Sequence, residues 1–449
     1  MLDIAEQLDG LMPTAIFGSV ARTVGMTVSA AGFPAPVGAV AEIERESGVP
    51  LLAEVIGFRD ELTLLFPFAD MGGVRRGNRV RLARTTRWLR VGQGLLGRVF
   101  NAHGVAVDQK PQPVLDDRTT IGREPPHPCT RPRIHEPLST GIRAMDGLMT
   151  CGKGQRMGIF SGSGVGKSVL LGMMARSTNA DVNVIALIGE RGREVNEFIE
   201  RDLGPEGLAR SVVVVATSNE PAILRTQAAQ TATAIAEYFR DQGKDVMLMM
   251  DSLTRFALAQ REIGLAAGEP PTTRGFPPSV FAILPRLVER AGRSSKGSIT
   301  AFYTVLVEAD DSNEPIADAV RGLIDGHTWL SRRLASRAHY PAIDVLESLS
   351  RLMTEVVDAE HRRAAQAVRE LLAVYRDHED LISIGAYRRG SNKKVDAAID
   401  MQDDLNNFLR QQVEERSGVE EARRALLQLF QQYTAKTGGA TQDQRPKGP

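Results

Sequence analysis

The stretch QRMGIFSGSGVGKS, residues 155–168, decides the reading of this chain. Met157 to Phe160 form a short apolar run that suits a buried strand, and a glycine-rich turn follows. That turn delivers Lys167 and Ser168 to the start of a helical pattern that continues as VLLGMMARS from Val169. Strand, glycine loop and helix in this order are the layout of a phosphate-binding loop. Gly162, Gly164 and Gly166 let the backbone wrap through Ser163 and Val165 with its N–H groups turned inward. The helix N-terminus, with Val169 in its first turn, adds positive partial charge. Lys167 is then the cation for the terminal phosphates of a nucleotide such as ATP, and the Ser168 hydroxyl is a ligand for Mg²⁺. One position departs from the usual pattern: six residues before the lysine stands Ser161 rather than glycine. The plainer reading, an ordinary glycine-rich turn, does not account for GKS at a strand-to-helix junction.

The chain has 449 residues, too many for one hydrophobic core, so two to four domains are expected. Its 42% hydrophobic and 24% charged residues are those of a water-soluble globular protein. Zero formal net charge gives no global field for nucleic acid or a membrane surface. Two cysteines, Cys129 and Cys151, give neither a disulfide framework nor a metal spacing and suit a reducing compartment. There is no apolar run of about eighteen residues and no signal-peptide pattern, so a cytoplasmic location is expected.

Residues 1–17 place Leu2, Ile4, Ala5, Leu8, Leu11 and Met12 at helical spacing, an amphipathic helix either packed on its own domain or docking a partner. Residues 18–86 change to short β runs broken by glycine and proline, which reads as a small barrel. RWLRVGQGLLGRVFNAHGVAVD reads as a strand–turn–strand, and the proline- and charge-rich residues 108–140 read as an ordered wrap over a domain surface. From 87 to 358 apolar strands alternate with helices: after the loop come VNVIALIG, SVVVVAT, DVMLMMD and SITAFYTVL. Continuously apolar strands of this kind form a parallel sheet covered on both faces, an α/β nucleotide domain whose ligands sit at the carboxyl ends of the strands. Residues 359–433 carry helical periodicity and no strand signals, and 434–449 have the composition of disorder.

Polar residues at strand ends carry the chemistry. Asp251 closes DVMLMMD, where a carboxylate needs a cationic partner, and reads as the acid holding the Mg²⁺ water shell opposite Ser168. Glu190, in GERGRE after VNVIALIG, is placed to orient and polarise the water attacking a γ-phosphate, with Arg191 beside it for phosphate charge. A surface ion-pair run is the alternative for GERGRE. Arg351, beyond the last strand legible here, is either a surface arginine or a group completing a neighbouring subunit's site. Tyr340 is the candidate for stacking on the adenine, with simple packing as its alternative.

SGSGVGKS, GERGRE, VMLMMDSLTR, GEPPTTRGFPPSVF, ITAFYTVLVEADDSNEPIADAVRGLIDGH and HYPAIDVLESLSR together resemble the catalytic subunits of rotary ATPases. Within these, the chain is most similar to the flagellar protein-export ATPases of the type III secretion class, over residues 20 to 430. The resemblance implies a β-barrel, a RecA-like P-loop domain and a helical domain, assembled as a six-membered ring that hydrolyses Mg·ATP for protein export. It implies the roles given above for Lys167, Ser168, Glu190 and Asp251, a finger role toward the neighbour for Arg351, and a place at the base for Tyr340. It also implies partners: a stator-like regulator at the N-terminal helix, a central stalk, export-gate components and chaperone–client complexes, at the periphery of the inner membrane. Virulence injectisome ATPases are the near alternative. A non-catalytic ring subunit is disfavoured because such subunits carry Gln where Glu190 stands, and an RNA translocase because no basic–aromatic cluster precedes the loop.

Overall fold

The structure, a computed structural model, describes residues 15–307 and 314–437. The amphipathic segment expected at 1–17 therefore lies outside the described residues as far as position 14, and strand β1 already begins at Phe17. Six strands, β1 (Phe17–Val24), β2 (Thr27–Ala31), β3 (Val40–Ile43), β4 (Leu51–Arg59), β5 (Leu62–Pro67) and β6 (Arg79–Arg84), close an antiparallel barrel in the order β1-β2-β5-β4-β3-β6. The two-residue side-chain period of β4 sends Leu51, Ala53 and Val55 inward, where they meet Val28, Ile43, Leu65 and Val80.

The next stretch has the expected strand, turn and strand, with the two strands in different sheets. β7 (Trp88–Val91) pairs with β9 (Asp117–Thr120), whereas β8 (Arg98–Asn101) joins a different sheet. The reason lies in β8's two faces: Phe100 is buried in one core and Val99 in the other, a demand that only a doubly covered sheet satisfies. Residues 108–140 do wrap over the surface, pinned by Arg123 to Asp241 at 2.8 Å and by Arg131 to the Ala291 carbonyl at 2.8 Å. Within and after the wrap, β10 (Pro137–Leu138) and β11 (Cys151–Gly152) form a short ribbon.

The central sheet contains β12 (Arg156–Ser161), β13 (Val182–Ile188), β14 (Ser211–Ala216), β15 (Asp245–Asp251), β16 (Gly292–Arg293), β17 (Ser298–Leu306), β18 (Gly326–Leu330) and β19 (Ile343–Ser350). Its order is β19-β18-β12-β17-β15-β13-β14-β8, parallel except for β19 on one edge and the small β16. Helices Ala222–Asp241, Leu253–Ala267 and Pro278–Val288 cover one face, and helix Lys167–Ser177 covers the other. β18 and β19 extend the sheet beyond the last strand legible in the sequence, and Arg351 follows directly on β19.

Helices Ala359–Ser383, Lys393–Asp400, Gln402–Leu409 and Val419–Thr437 pack against the second face. The last of them reaches Thr437, which replaces the disorder expected at 434–437 with helix; the rest of that segment, 438–449, lies outside the described residues. Arg143 fastens this bundle to the sheet domain by donating to the carbonyls of Phe408 at 2.8 Å and Arg410 at 2.6 Å. Gln411 adds a bond from its amide to the Gly141 carbonyl at 2.8 Å.

Candidate active site

The loop Gly162–Gly166 links β12 to the helix starting at Lys167. Gly164 and Gly166 have φ of 78° and 92°, a conformation that side-chain-bearing residues rarely adopt. Val165 is buried and anchors the loop, while Ser163 and Gly164 stand exposed at its tip. Ser161 is fully buried, and its hydroxyl has no hydrogen-bond partner.

Beneath the loop, three strand ends converge on one lysine. The Lys167 Nζ lies 2.5 Å from Asp251 Oδ1 at the end of β15 and 3.7 Å from Glu190 Oε1 beyond β13. Thr304, on the intervening β17, donates its hydroxyl to the same Asp251 Oδ1 at 2.7 Å. Arg255, in the first turn of the helix after β15, places its Nε 3.4 Å from Glu190 Oε1 and donates from its guanidinium to the Gly189 carbonyl. Burial pushes the Glu190 carboxyl up to about 7, and the negative charge of Asp251 adds to this against the pull of Lys167. Burial alone would lower the Lys167 ammonium, but Asp251 and Glu190 outweigh it and hold the group above the ordinary lysine range. The cluster therefore keeps a charged lysine ready for an anion, beside a carboxyl that exchanges its proton near neutrality.

The other residues fall in separate places. Tyr340 lies beside the loop: its ring carbons come 3.7 Å from where a Cβ on Gly166 would stand. With Val169, Met173 and residues 410–413 of the helical bundle it walls a cavity of about 500 Å³, open at the loop. Ser168 follows Lys167 in the first helical turn. Arg191 is not drawn into the cluster: its side chain is 78% exposed and lies 3.8 Å from Glu194. The arginine that does face Glu190 is Arg255, which sequence reading passed over although it stands in DSLTR, one turn after Asp251.

Arg351 sits at the opposite end of the sheet. Its exposed side chain follows β19, and its N–H donates to the Asp325 carbonyl at 3.0 Å. Asp325 in turn pairs at 3.1 Å with Arg156, the first residue of β12, whereas the phosphate loop follows Ser161, the last. The five steps from Arg156 to Ser161 span roughly 16 Å of strand. An arginine side chain does not cover that distance, so Arg351 does not serve the loop of its own chain.

The nucleotide-binding domain of the ATP synthase alpha/beta family matches residues 141–350, and the T3SS EscN ATPase C-terminal domain matches residues 357–428. The flagellum-specific ATP synthase of Bacillus subtilis (strain 168) is 52% identical over 431 residues, covering 96% of this chain and 98% of that protein. The type 3 secretion system ATPase of Xanthomonas euvesicatoria is 54% identical over 405 residues, covering 90% and 92%. The solved structure of the assembled ATPase EscN, from the enteropathogenic E. coli type III secretion system, superposes with a TM-score of 0.86 at 46% identity. That match covers 92% of this chain and 99% of EscN. EscN has also been solved in complex with its central stalk EscO. With barrel, P-loop sheet and helical bundle matched along nearly its whole length, the chain belongs to the family of flagellum-specific and type 3 secretion ATPases.

Proposed function

We propose that this ATPase hydrolyses Mg·ATP at the loop Gly162–Ser168 to energise or prime export of flagellar proteins. The convergence of Glu190 and Asp251 on Lys167 is the observation that carries the reading. Lys167 exchanges its carboxylate partners for the β- and γ-phosphates when nucleotide enters, and the loop N–H groups hold the same charge. Ionised Glu190 orients and polarises the attacking water, and Arg255 keeps that carboxylate at its place beside the phosphates. Tyr340 and the segment 410–413 hold the base, which fixes the phosphates relative to Glu190. The Ser168 hydroxyl and the buried Asp251 carboxylate are the hard oxygen donors that suit Mg²⁺, an ion that keeps several of its waters. When bound, Mg²⁺ neutralises charge on the phosphates.

Arg351 acts on the nucleotide of a neighbouring subunit, in a ring that the likeness to assembled EscN supports and with which the placement of this arginine far from its own loop agrees. Complex formation between EscN and EscO supports a central stalk partner for this chain as well. Among the described residues no helix is long and apolar enough to cross a membrane, which suits a cytoplasmic ring peripheral to the export apparatus. The flagellar assignment rests on the longer match to a flagellar relative, 431 residues against 405, and the 54% identity to a secretion ATPase keeps the injectisome as the second reading.

Purified Lys167→Ala is expected to lose at least tenfold in ATP affinity and nearly all turnover, read by nucleotide binding and phosphate release. Near-normal turnover would refute the assignment of the loop. The same substitution in cells is expected to abolish flagellar filaments. Normal filaments together with lost secretion of virulence proteins would favour the injectisome instead.

The stripe Leu2, Ile4, Leu8 and Leu11 is proposed to dock a stator-like regulator. Removing residues 1–12 should abolish co-purification of that regulator with the melting temperature changed by less than about 2 °C. A drop of about 5 °C or more would mean the stripe packs on its own chain.

A further inference from the structure

Thr304 stands inside the apolar run TAFYTVL of β17, where a hydroxyl is costly unless it has a partner. It is fully buried. The register of β15 on β17 sets Met250 opposite Tyr303, so Asp251 and Thr304 come next and share a face. The hydroxyl donates to Asp251 Oδ1 at 2.7 Å, and its other acceptor in reach, the Met250 carbonyl, is a longer 3.4 Å away. Asp251 thus has two partners, the ammonium of Lys167 and this hydroxyl, on one oxygen.

The two partners differ in what happens to them. Lys167 is mobile in the reading above: it leaves for the phosphates, and a carboxylate whose side chain is only 4% exposed then loses its cation. Thr304 is fixed in the middle of a sheet with strands on both sides, so its bond survives the exchange. We infer that Thr304 is a positioning residue that holds the Asp251 carboxylate in its metal-facing arrangement while Lys167 moves to the nucleotide. The inference rests on the reading of Asp251 as the Mg²⁺-shell acid, and it adds a residue that neither strand periodicity nor the loop motif marks. Thr304 touches no substrate atom in this scheme; it acts through Asp251. Thr254 supports the same end of β17, accepting the Leu306 N–H at 2.9 Å, which keeps the strand end from shifting when the lysine departs.

The test is calorimetric binding of ADP to the full chain, once with Mg²⁺ and once with a chelator. Thr304→Val keeps the shape and removes the hydroxyl. Affinity in chelator is expected to stay within about twofold of the parent. The gain on adding Mg²⁺ is expected to shrink by about tenfold or more, the change that one charge-assisted hydrogen bond supplies. Thr304→Ser is expected to restore most of that gain. An undiminished Mg²⁺ gain in Thr304→Val, an equal loss with and without Mg²⁺, or no restoration by serine would each overturn the inference. Should the valine variant melt early, Thr304→Ala against Thr304→Ser makes the same comparison. Asp251→Asn separates the two levels of the argument. If it keeps the full Mg²⁺ gain, the assignment of Asp251 fails and the inference with it; if it loses the gain while Thr304→Val does not, only the role of Thr304 fails.

Discussion

Arg351→Ala is expected to lower ATP hydrolysis by the assembled protein about 10³–10⁵-fold while leaving ATP affinity within about twofold. The asymmetry follows from where the residue stands. Arg351 lies at the amino end of β12, roughly 16 Å of strand from its own loop, so the nucleotide in that loop is bound without it. A guanidinium presented by a neighbour meets charge that builds on the transferring phosphoryl group, so its removal raises the barrier by about 4–7 kcal/mol without touching the ground state. Rate and affinity measured on the same preparation check this, and an affinity loss matching the rate loss would make Arg351 a binding or folding residue.

Glu190→Gln is the second large effect. The substitution keeps the shape of the side chain and removes its charge and basicity, so Mg·ATP binding should persist while hydrolysis falls about 10²–10⁴-fold. Loss of binding instead would identify Glu190 as a structural group. A pH profile gives an independent reading of the same carboxyl. Burial and the nearby Asp251 raise it to about 7, so it is largely protonated below that pH and ionised above it. The base form is the ionised one. kcat/KM should therefore climb with pH to a plateau above about 7, rather than being flat from pH 5 as an ordinary glutamate would leave it. A profile flat across that range would remove Glu190 from the base role.

The parts of this site that were legible in the sequence share one property: each is a polar residue ending a continuously apolar strand. Glu190 after β13 and Asp251 at the end of β15 have it directly, and Lys167 through the glycine loop that follows β12, because a parallel sheet buried on both faces leaves its polar groups at the strand ends. What was not legible depends on neighbours distant in sequence. Thr304 lies within an apolar run, and only the β15–β17 register gives its hydroxyl a purpose. Arg255 is one turn into a helix, where nothing local distinguishes it from other surface arginines, and the more conspicuous Arg191 took the role assigned by proximity in GERGRE. The cavity beside the loop joins Tyr340 to residues 410–413 because Gln411 donates its N–H to the Tyr340 carbonyl at 3.0 Å and Arg143 holds the bundle in place. β18 and β19 escaped detection since polar residues such as His327 and Asp344 interrupt both, so neither reads as a continuously apolar strand. The sheet that β8 joins could not be read locally, because its partner, β14, begins more than a hundred residues later.

Mixing Arg351→Ala subunits with Lys167→Ala subunits tests the central claim most directly, namely that each active site is completed by two chains. Either variant alone lacks a group that every site needs. In a mixed ring, an intact loop from one variant meets an intact arginine from the other at some interfaces. The account predicts ATPase activity well above the sum of the two separate variants, rising with the fraction of mixed interfaces. Activity no greater than that sum, in rings shown to contain both variants, would contradict it.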